Sequence, residues 1–566
     1  MTKLSSFRAI ILMMVLHLNF NSVFGIVEIK NSPENNNAEI HFSIDSLNHW
    51  YQSLSLENDN LENSLFTATE THTPQEPFKS FFLIGNPSDF KVEIEEGQKI
   101  EMNDFQFNLV PKKPCRCHHS FHHDLKGEVS SDRKLKSQTN FSPRRIQLDY
   151  LGDFRGTPIT RLLFFPQSID PLKKMVNLYP RAQLKISSLN NRKIHLEKSL
   201  EPILIPLLKM PAKKILIVTP PQWISTLQNF KKWKEKKGFS ISFMNFEQTA
   251  DPAFDLAQLK NQLKSRYLNP NTTFHYVILV GHQDIIPTNF VPTENDFETP
   301  SDLLTFTFGE GPDFIPDAFF GRFPVNTVEE LQQIIAKTIH YETKNPTLKH
   351  QYRKGIGIAS NEGVDPSDED YLLRIQKPLQ EKKQISFRNF LQKNPDSNPE
   401  NINEEIRRGA SLIHYLGHGS GYSWESLYGG PYNSDDIKLS GAENDSTEIL
   451  SPTTQTPLNP IIIDVSCQNG RPLYDSHFGE RFLNEKNQFG PIGASAFFGG
   501  SVDISWDPPA LMSTRISVGL THYQIKNLGP ALLYGQLALW NFLSAPSSII
   551  DNLKWYHLLG DPSLSF

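Results

Sequence analysis

Cys467, in PIIIDVSCQNG, and His418, in SLIHYLGHGSG, each stand just past an apolar run. Together they offer a thiol and a base. A thiolate is a strong nucleophile once a neighbouring imidazole has taken its proton, and that pair can carry acyl transfer through a covalent intermediate. Gly417 and Gly419 flank the histidine, so the backbone there can turn sharply and come close to a bound chain. The amides of Gly419 and Cys467 form a candidate oxyanion hole, with N–H donors aimed at the oxygen of a tetrahedral intermediate. Each feature alone has a plainer explanation. A cysteine at a strand end is commonly a small buried hydrophobe, and Gly-His-Gly is commonly a turn.

The elements that must position this pair are legible around it. Residues 411–416 and 460–465 are rich in Ile, Leu and Val and bounded by Gly or Asn, as central parallel strands are. Such sheets present their functional groups at the carboxyl ends of the strands. From Lys213 onward strands and helices alternate: KKILIVTP, a helix over 222–237 ending at Gly238, FSISFMNF, a helix over 255–267, then FHYVILVG. That alternation predicts a parallel sheet with right-handed crossovers. A second set of strands starts at GIGIAS, takes in both candidate active-site strands and continues to GASAFFGG. The boundary between two α/β subdomains, 211–348 and 349–566, is therefore expected near 345–354, with His418 and Cys467 in the second. Residues 26–210 differ in texture. Alternating stretches such as IVEIK, AEIHFSI and AQLKISS predict an all-β domain of short strands.

A chain of 566 residues, 38% hydrophobic, can bury two or three cores. Its net charge of -6 provides no electrostatic footprint for nucleic acid or an anionic membrane. Residues 1–25 carry Lys3 and Arg8, an apolar stretch over 9–18, then Val23 and Gly25. That is the pattern of a secretory signal peptide cleaved after Gly25, which implies export. No later apolar run reaches the length of roughly 18 residues that a membrane span needs. No cysteine stands near the cleavage position, against a lipoprotein. A nucleophile must stay unpaired, so of three cysteines only Cys115 and Cys117 remain, and cores rather than disulfides must supply stability. These two lie in CRCHHSFHHD with His118, His119, His122 and His123, sulfur and imidazole donors that suit zinc or copper. The alternative is an exposed polar loop. The basic residues over 126–145, Arg144 and Arg145 included, also make it a candidate activation cleavage region.

LGHGSGYSW and IIIDVSCQNG resemble the two active-site signatures of the gingipain-type cysteine peptidases. VILVGHQDIIPT, FFGRFPVNTVEELQQIIAKTIHYE, GIGIASNEG, GPIGASAFFGGSVDISW and YHLLGDPSL match the same family in the same order. The resemblance runs from about residue 213 to the end of the sequence. It implies a caspase-like α/β/α sandwich with mainly parallel sheets in two subdomains, preceded by an all-β propeptide domain. By that resemblance His418 is the general base, Cys467 the nucleophile, and Glu362 in ASNEG an acid hydrogen-bonded to the histidine. A histidine about 50 residues upstream of the cysteine is also the caspase arrangement. Trp506 matches a tryptophan that lines the specificity pocket. A surface glutamate and a buried core tryptophan are the competing accounts of Glu362 and Trp506. Asp464 is expected to cap a turn or bind a backbone amide.

YLGDFRGTPI and LYPRAQLKI resemble the propeptide of these enzymes, which implies a zymogen whose partners are protein or peptide substrates and its own propeptide. No cofactor is required for the chemistry, and the family resemblance leaves room for structural calcium. A pocket carboxylate selects Arg or Lys in the family, and Asp365, Asp368, Glu369 and Asp370 stand in the right neighbourhood. The sequence closes on LGDPSLSF, so anchoring through trailing immunoglobulin-like or sorting modules is not expected. Two other functions stay open. One is a processing peptidase or transpeptidase of exported proteins, the other an inactive relative that binds metal or protein.

Overall fold

The computed structural model describes residues 26–31, 36–44, 78–103, 145–170, 175–249, 251–309, 311–363, 366–439, 456–472, 477–487 and 490–566. The signal-peptide stretch, CRCHHSFHHD, Arg144 and Asp365 lie outside the described residues.

In the N-terminal part the period-two alternation of the sequence becomes pairing. Ile26–Asn31, Asn37–Ser43, Arg181–Ser188 and Phe90–Glu96 form one antiparallel sheet, in which AEIHFS lies beside AQLKISS with Ile40 opposite Leu184. Alternate side chains along both strands are buried, because a strand sends successive residues to opposite faces. A second sheet contains Lys79–Ile84, Thr157–Phe164 and Ile146–Phe154. Ile40, Phe42, Leu83, Leu162, Phe164, Leu184 and Ile186 close a core of their own between the two. Helix α1 (Glu201–Lys209) then leads into the rest of the chain.

From there ten strands make one sheet: β1 (Lys214–Thr219), β2 (Ser240–Asn245), β3 (Tyr276–Val280), β4 (Phe319–Phe323), β5 (Lys354–Ala359), β6 (Ser386–Leu391), β7 (Leu412–Leu416), β8 (Ile461–Val465), β9 (Ala496–Gly500) and β10 (Tyr556–Leu559). Their spatial order is β2-β1-β3-β4-β10-β9-β8-β7-β5-β6. β1 to β4 pair in parallel, as do β5 to β9. β10 pairs parallel with β4 but antiparallel with β9. The sheet thus consists of two parallel halves that run in opposite directions, and the last strand of the chain belongs with the first half. The chain passes from the first half to the second between β4 and β5. Because Tyr556 pairs with Gly500, β4 begins at the rim where β9 ends. One apolar core runs under both halves, from Ile217 and Ile278 through Phe323 and Ile358 to Ile413, Ile462 and Phe497.

Two helix boundaries depart from the sequence expectation. The helix expected over 222–237 is a 3-10 turn at Pro221–Trp223 followed by α2 (Gln228–Lys236). Pro220 and Pro221 favour the turn, and Ser225 and Thr226, weak helix formers, stand between the two pieces. The helix expected over 255–267 starts sooner, at Pro252–Leu268, where the Asp251 carboxylate accepts the amides of Ala253 and Phe254. Helix α3 (Val328–Thr343) starts on a capping box between Thr327 and Glu330, and α4 (Asp368–Lys383) on one between Ser367 and Asp370. Helices α5 (Phe478–Asn484), α6 (Asp507–Thr521) and α7 (Leu528–Ala538) complete the part of the fold that matters for the site. Among the described residues no helix is long and apolar enough to cross a membrane.

The β-rich part docks on this sheet through arginines. Arg161, fully buried, donates to the carbonyls of Trp540 (3.1 Å), Leu543 (2.5 Å) and Ser544 (3.0 Å) and pairs with Asp149 at 2.6 Å. Its guanidinium lies 4.6 Å from the Trp540 ring centroid. Arg155 covers Phe319, the first residue of β4, at 4.6 Å. That contact lies at the rim where β9 ends.

Candidate active site

β7 and β8 are adjacent parallel strands, and their ladder ends at Leu416 opposite Val465. One further backbone bond, Gly417 N–H to the Val465 carbonyl, carries the pairing past the strands. His418 and Cys467 follow immediately on the two neighbouring loops.

His418 is buried and firmly seated. Its amide donates to Ser426 Oγ at 2.9 Å, and its carbonyl accepts from the Tyr415 hydroxyl at 2.6 Å. Nε2 lies 3.0 Å from Glu362 Oε2, and Glu362 reaches it from the loop that follows β5. Trp506, just before α6, presents an edge to the imidazole with the ring centroids 5.6 Å apart. It is 3% exposed, a packed tryptophan beside the histidine rather than an open aromatic wall. Another histidine four residues earlier, His414, sits in the core, and burial pushes its pKa down to about 3. It is a neutral packing residue, so of the two only His418 is brought to the rim.

Cys467 is fully buried. Its sulfur accepts the Ile504 amide at 3.2 Å, a donor that suits a thiolate. Gly419 lies against the carbonyl of Cys467. A Cβ there would come within 2.4 Å of that oxygen, so only glycine lets the two loops close. The next residue, Gln468, holds φ at +61°, the left-handed region that side chains avoid, while its amide donates to Val502 and its side chain to Asp503. A strained residue directly after a candidate nucleophile is held there by its surroundings.

Asp464 is fully buried on β8 and accepts from Trp424 Nε1 (2.6 Å), from the Ser466 hydroxyl and from Asn469. Burial pushes its carboxyl up to about 6, against the pull of those donors and of the Ser466 amide. Of the three described carboxylates that follow Glu362 in the sequence, Glu369 pairs with Lys393 at 2.6 Å and Asp370 is used in the capping box. Asp368 is buried, accepts from Ser360 Oγ at 2.7 Å and is tied by its own amide to the Glu362 carbonyl. Among the described residues no group of three or more His, Cys, Asp or Glu could hold a metal ion.

The sequence profile of peptidase family C25 matches residues 209–566, the whole ten-stranded sheet together with its helices. The chain belongs to that family. Among curated relatives, gingipain R2 of Porphyromonas gingivalis (strain ATCC BAA-308 / W83) is 25% identical over 367 residues, covering 62% of this chain and 45% of the relative. Gingipain R1 of Porphyromonas gingivalis is 24% identical over 469 residues, covering 76% and 44%. The chain therefore spans about half the length of these relatives. The crystal structure of the Arg specific cysteine proteinase gingipain R superposes with a TM-score of 0.54 at 23% identity, over 63% of this chain and 79% of that one. The complex of Porphyromonas gingivalis RgpB pro- and mature domains gives 0.53 at 24%, over 62% and 79%. This C25 chain has their caspase-like α/β fold.

Several residues that hold the site are not marked as functional by the signature motifs. The Ile504 amide has no side-chain signature and could not be found that way. Ser426, Trp424 and Asn469 had one usable signal: each is a polar or amphipathic residue close to the end of an apolar strand, where a buried polar group needs a partner.

Proposed function

We propose that this protein is a cysteine-type endopeptidase, exported and made as a zymogen. The observation that carries the proposal is the Glu362–His418 hydrogen bond on the loop next to that of Cys467. A carboxylate on one ring nitrogen orients the imidazole and favours its charged form, which is what a proton acceptor beside a thiol requires.

In the proposed mechanism His418 takes the proton from the sulfur, and the thiolate attacks the carbonyl carbon of a peptide bond. The amides of Gly419 and Cys467 donate to the resulting oxyanion. Collapse expels the amine, which takes its proton from the imidazolium, and leaves an acyl-enzyme. His418 then deprotonates a water that attacks the thioester, and the carboxylic product leaves as the sulfur regains its proton. No cofactor enters any step.

A preference for basic residues is part of the proposal. The matched gingipain R is named as Arg specific. None of Asp368, Glu369 and Asp370 is singled out as the selecting carboxylate: Glu369 pairs with Lys393, Asp370 serves the capping box, and Asp368 is buried against Ser360 Oγ. Latency is supported by the docking of the β-rich part at the rim of the sheet that also carries the two loops, and by the fold match to a complex named for its pro- and mature domains. Export rests on residues 1–25.

A cleavage profile on a mixed peptide library tests the activity. Cuts after Arg or Lys that vanish in Cys467→Ala, with the melting temperature kept, are the expected result. Undiminished hydrolysis by that variant would place the nucleophile elsewhere.

A further inference from the structure

Asn469, two residues past Cys467, has no exposed surface, and its carboxamide is bonded on every side. Oδ1 accepts the Gly421 amide at 3.0 Å. Nδ2 donates to the Ser423 carbonyl at 3.1 Å and to Ser466 Oγ at 2.8 Å, with Asp464 Oδ2 within reach at 3.3 Å. Gly421 and Ser423 belong to the segment that follows His418, whereas Ser466 belongs to the loop of Cys467 and Asp464 to β8, the strand that leads into it. The backbone of Asn469 is fixed as well: its amide donates to the Cys467 carbonyl at 2.8 Å and its carbonyl accepts from Gly479, in α5, at 2.9 Å.

We propose that Asn469 is a positioning residue for peptide hydrolysis, a clasp whose carboxamide ties the His418 loop to the Cys467 loop and so sets the approach of imidazole to sulfur. The inference rests on the peptidase function proposed above. The strand ladder ends at Leu416 and Val465 and extends by one backbone bond, so both reacting side chains stand just beyond what the sheet itself can hold in register. Gly421, at φ +87°, turns its amide toward Asn469, a conformation that favours glycine. The clasp needs one acceptor and two donors at a single uncharged planar group. Asparagine supplies them. Aspartate would keep the acceptor, lose both donors and set a second carboxylate beside Asp464.

In the full chain once activated, Asn469→Ala is expected to lower kcat for a peptide substrate about 100-fold while KM stays within about 3-fold, because a small misplacement of reacting groups costs rate more than binding. Amide exchange at Gly421 should accelerate about 10-fold, with the core strands unchanged. Asn469→Asp separates the two arms of the clasp and covers the case in which the alanine variant fails to fold. It should keep the protection of Gly421 and still lose kcat. Wild-type kcat in either variant, or acceleration spread evenly over every strand, would overturn the clasp. Hydrolysis that survives Cys467→Ala would instead overturn the peptidase function and this role with it, whatever happens at Gly421.

Discussion

Glu362 is half exposed while its partner His418 is buried, so the carboxylate reaches inward from a solvated loop to an imidazole that also packs against Trp506. Its charge costs little to maintain in that position, and its value to the site is orientation and stabilisation of the imidazolium. Glu362→Gln keeps shape and hydrogen bonding but removes the charge. The expected result is a fall in kcat/KM of roughly 10- to 100-fold, with the alkaline limb of the pH–rate profile moved to lower pH. A profile that keeps both its height and its limbs would make Glu362 a bystander. The residue was legible only through its ASNEG context, since a glutamate after a strand has no chemistry of its own until a histidine 56 positions away is folded onto it.

The strands of this sheet form for local reasons, but their assembly depends on the final residues of the chain. β10 joins the two halves, and the turn after it is fastened by Lys234 of α2, which lies 2.8 Å from Glu342 of α3 and 2.5 Å from Asp561, with all three side chains buried. A cation between two buried carboxylates cannot be removed without leaving both unpaired. Lys234→Met is expected to destabilise the fold by about 3–5 kcal/mol, measurable as a lower denaturant midpoint. A midpoint equal to that of the unaltered chain would mean the carboxylates are neutral or solvated there. β5, β7, β8 and β9 are legible in the sequence from their apolar runs. The reversal of direction between the halves is not legible there, because strand polarity within a sheet is set by crossovers and by long-range pairing, neither of which marks the residues themselves.

In the whole molecule the β-rich part and the sheet meet over Arg155, Asp153, Asp313 and Asp317. The Asp153 amide donates to Asp313, and Arg155 Nε to the Asp317 carbonyl. Burial pushes the Asp317 carboxyl up from 3.8 to about 7, and the charges of Asp313 and Asp153 act in the same direction against the amide bond from Phe308. The neutral acid is thus the form this interface favours. Its stabilising contribution is whole below the ordinary carboxylate range and is lost as pH rises through about 7, a loss on the order of 1–3 kcal/mol. The full chain is expected to melt at lower temperature at about pH 8 than at about pH 5, and Asp317→Asn to flatten that slope. An unchanged slope in the variant would assign the pH dependence to other groups.

Alternation in the N-terminal strands, the apolar runs of the sheet, the capping boxes of α3 and α4, and the delivery of Cys467 and His418 to strand ends were all written in the sequence. Each depends on a period or a neighbour within a few residues. The approach of Glu362 to His418, the Ile504 amide on the sulfur, the carboxamide of Asn469 between two loops and the place of β10 in the sheet were decided only by the tertiary structure. They join residues far apart in the chain, and such contacts exist only once the core has packed and closed the loops around them.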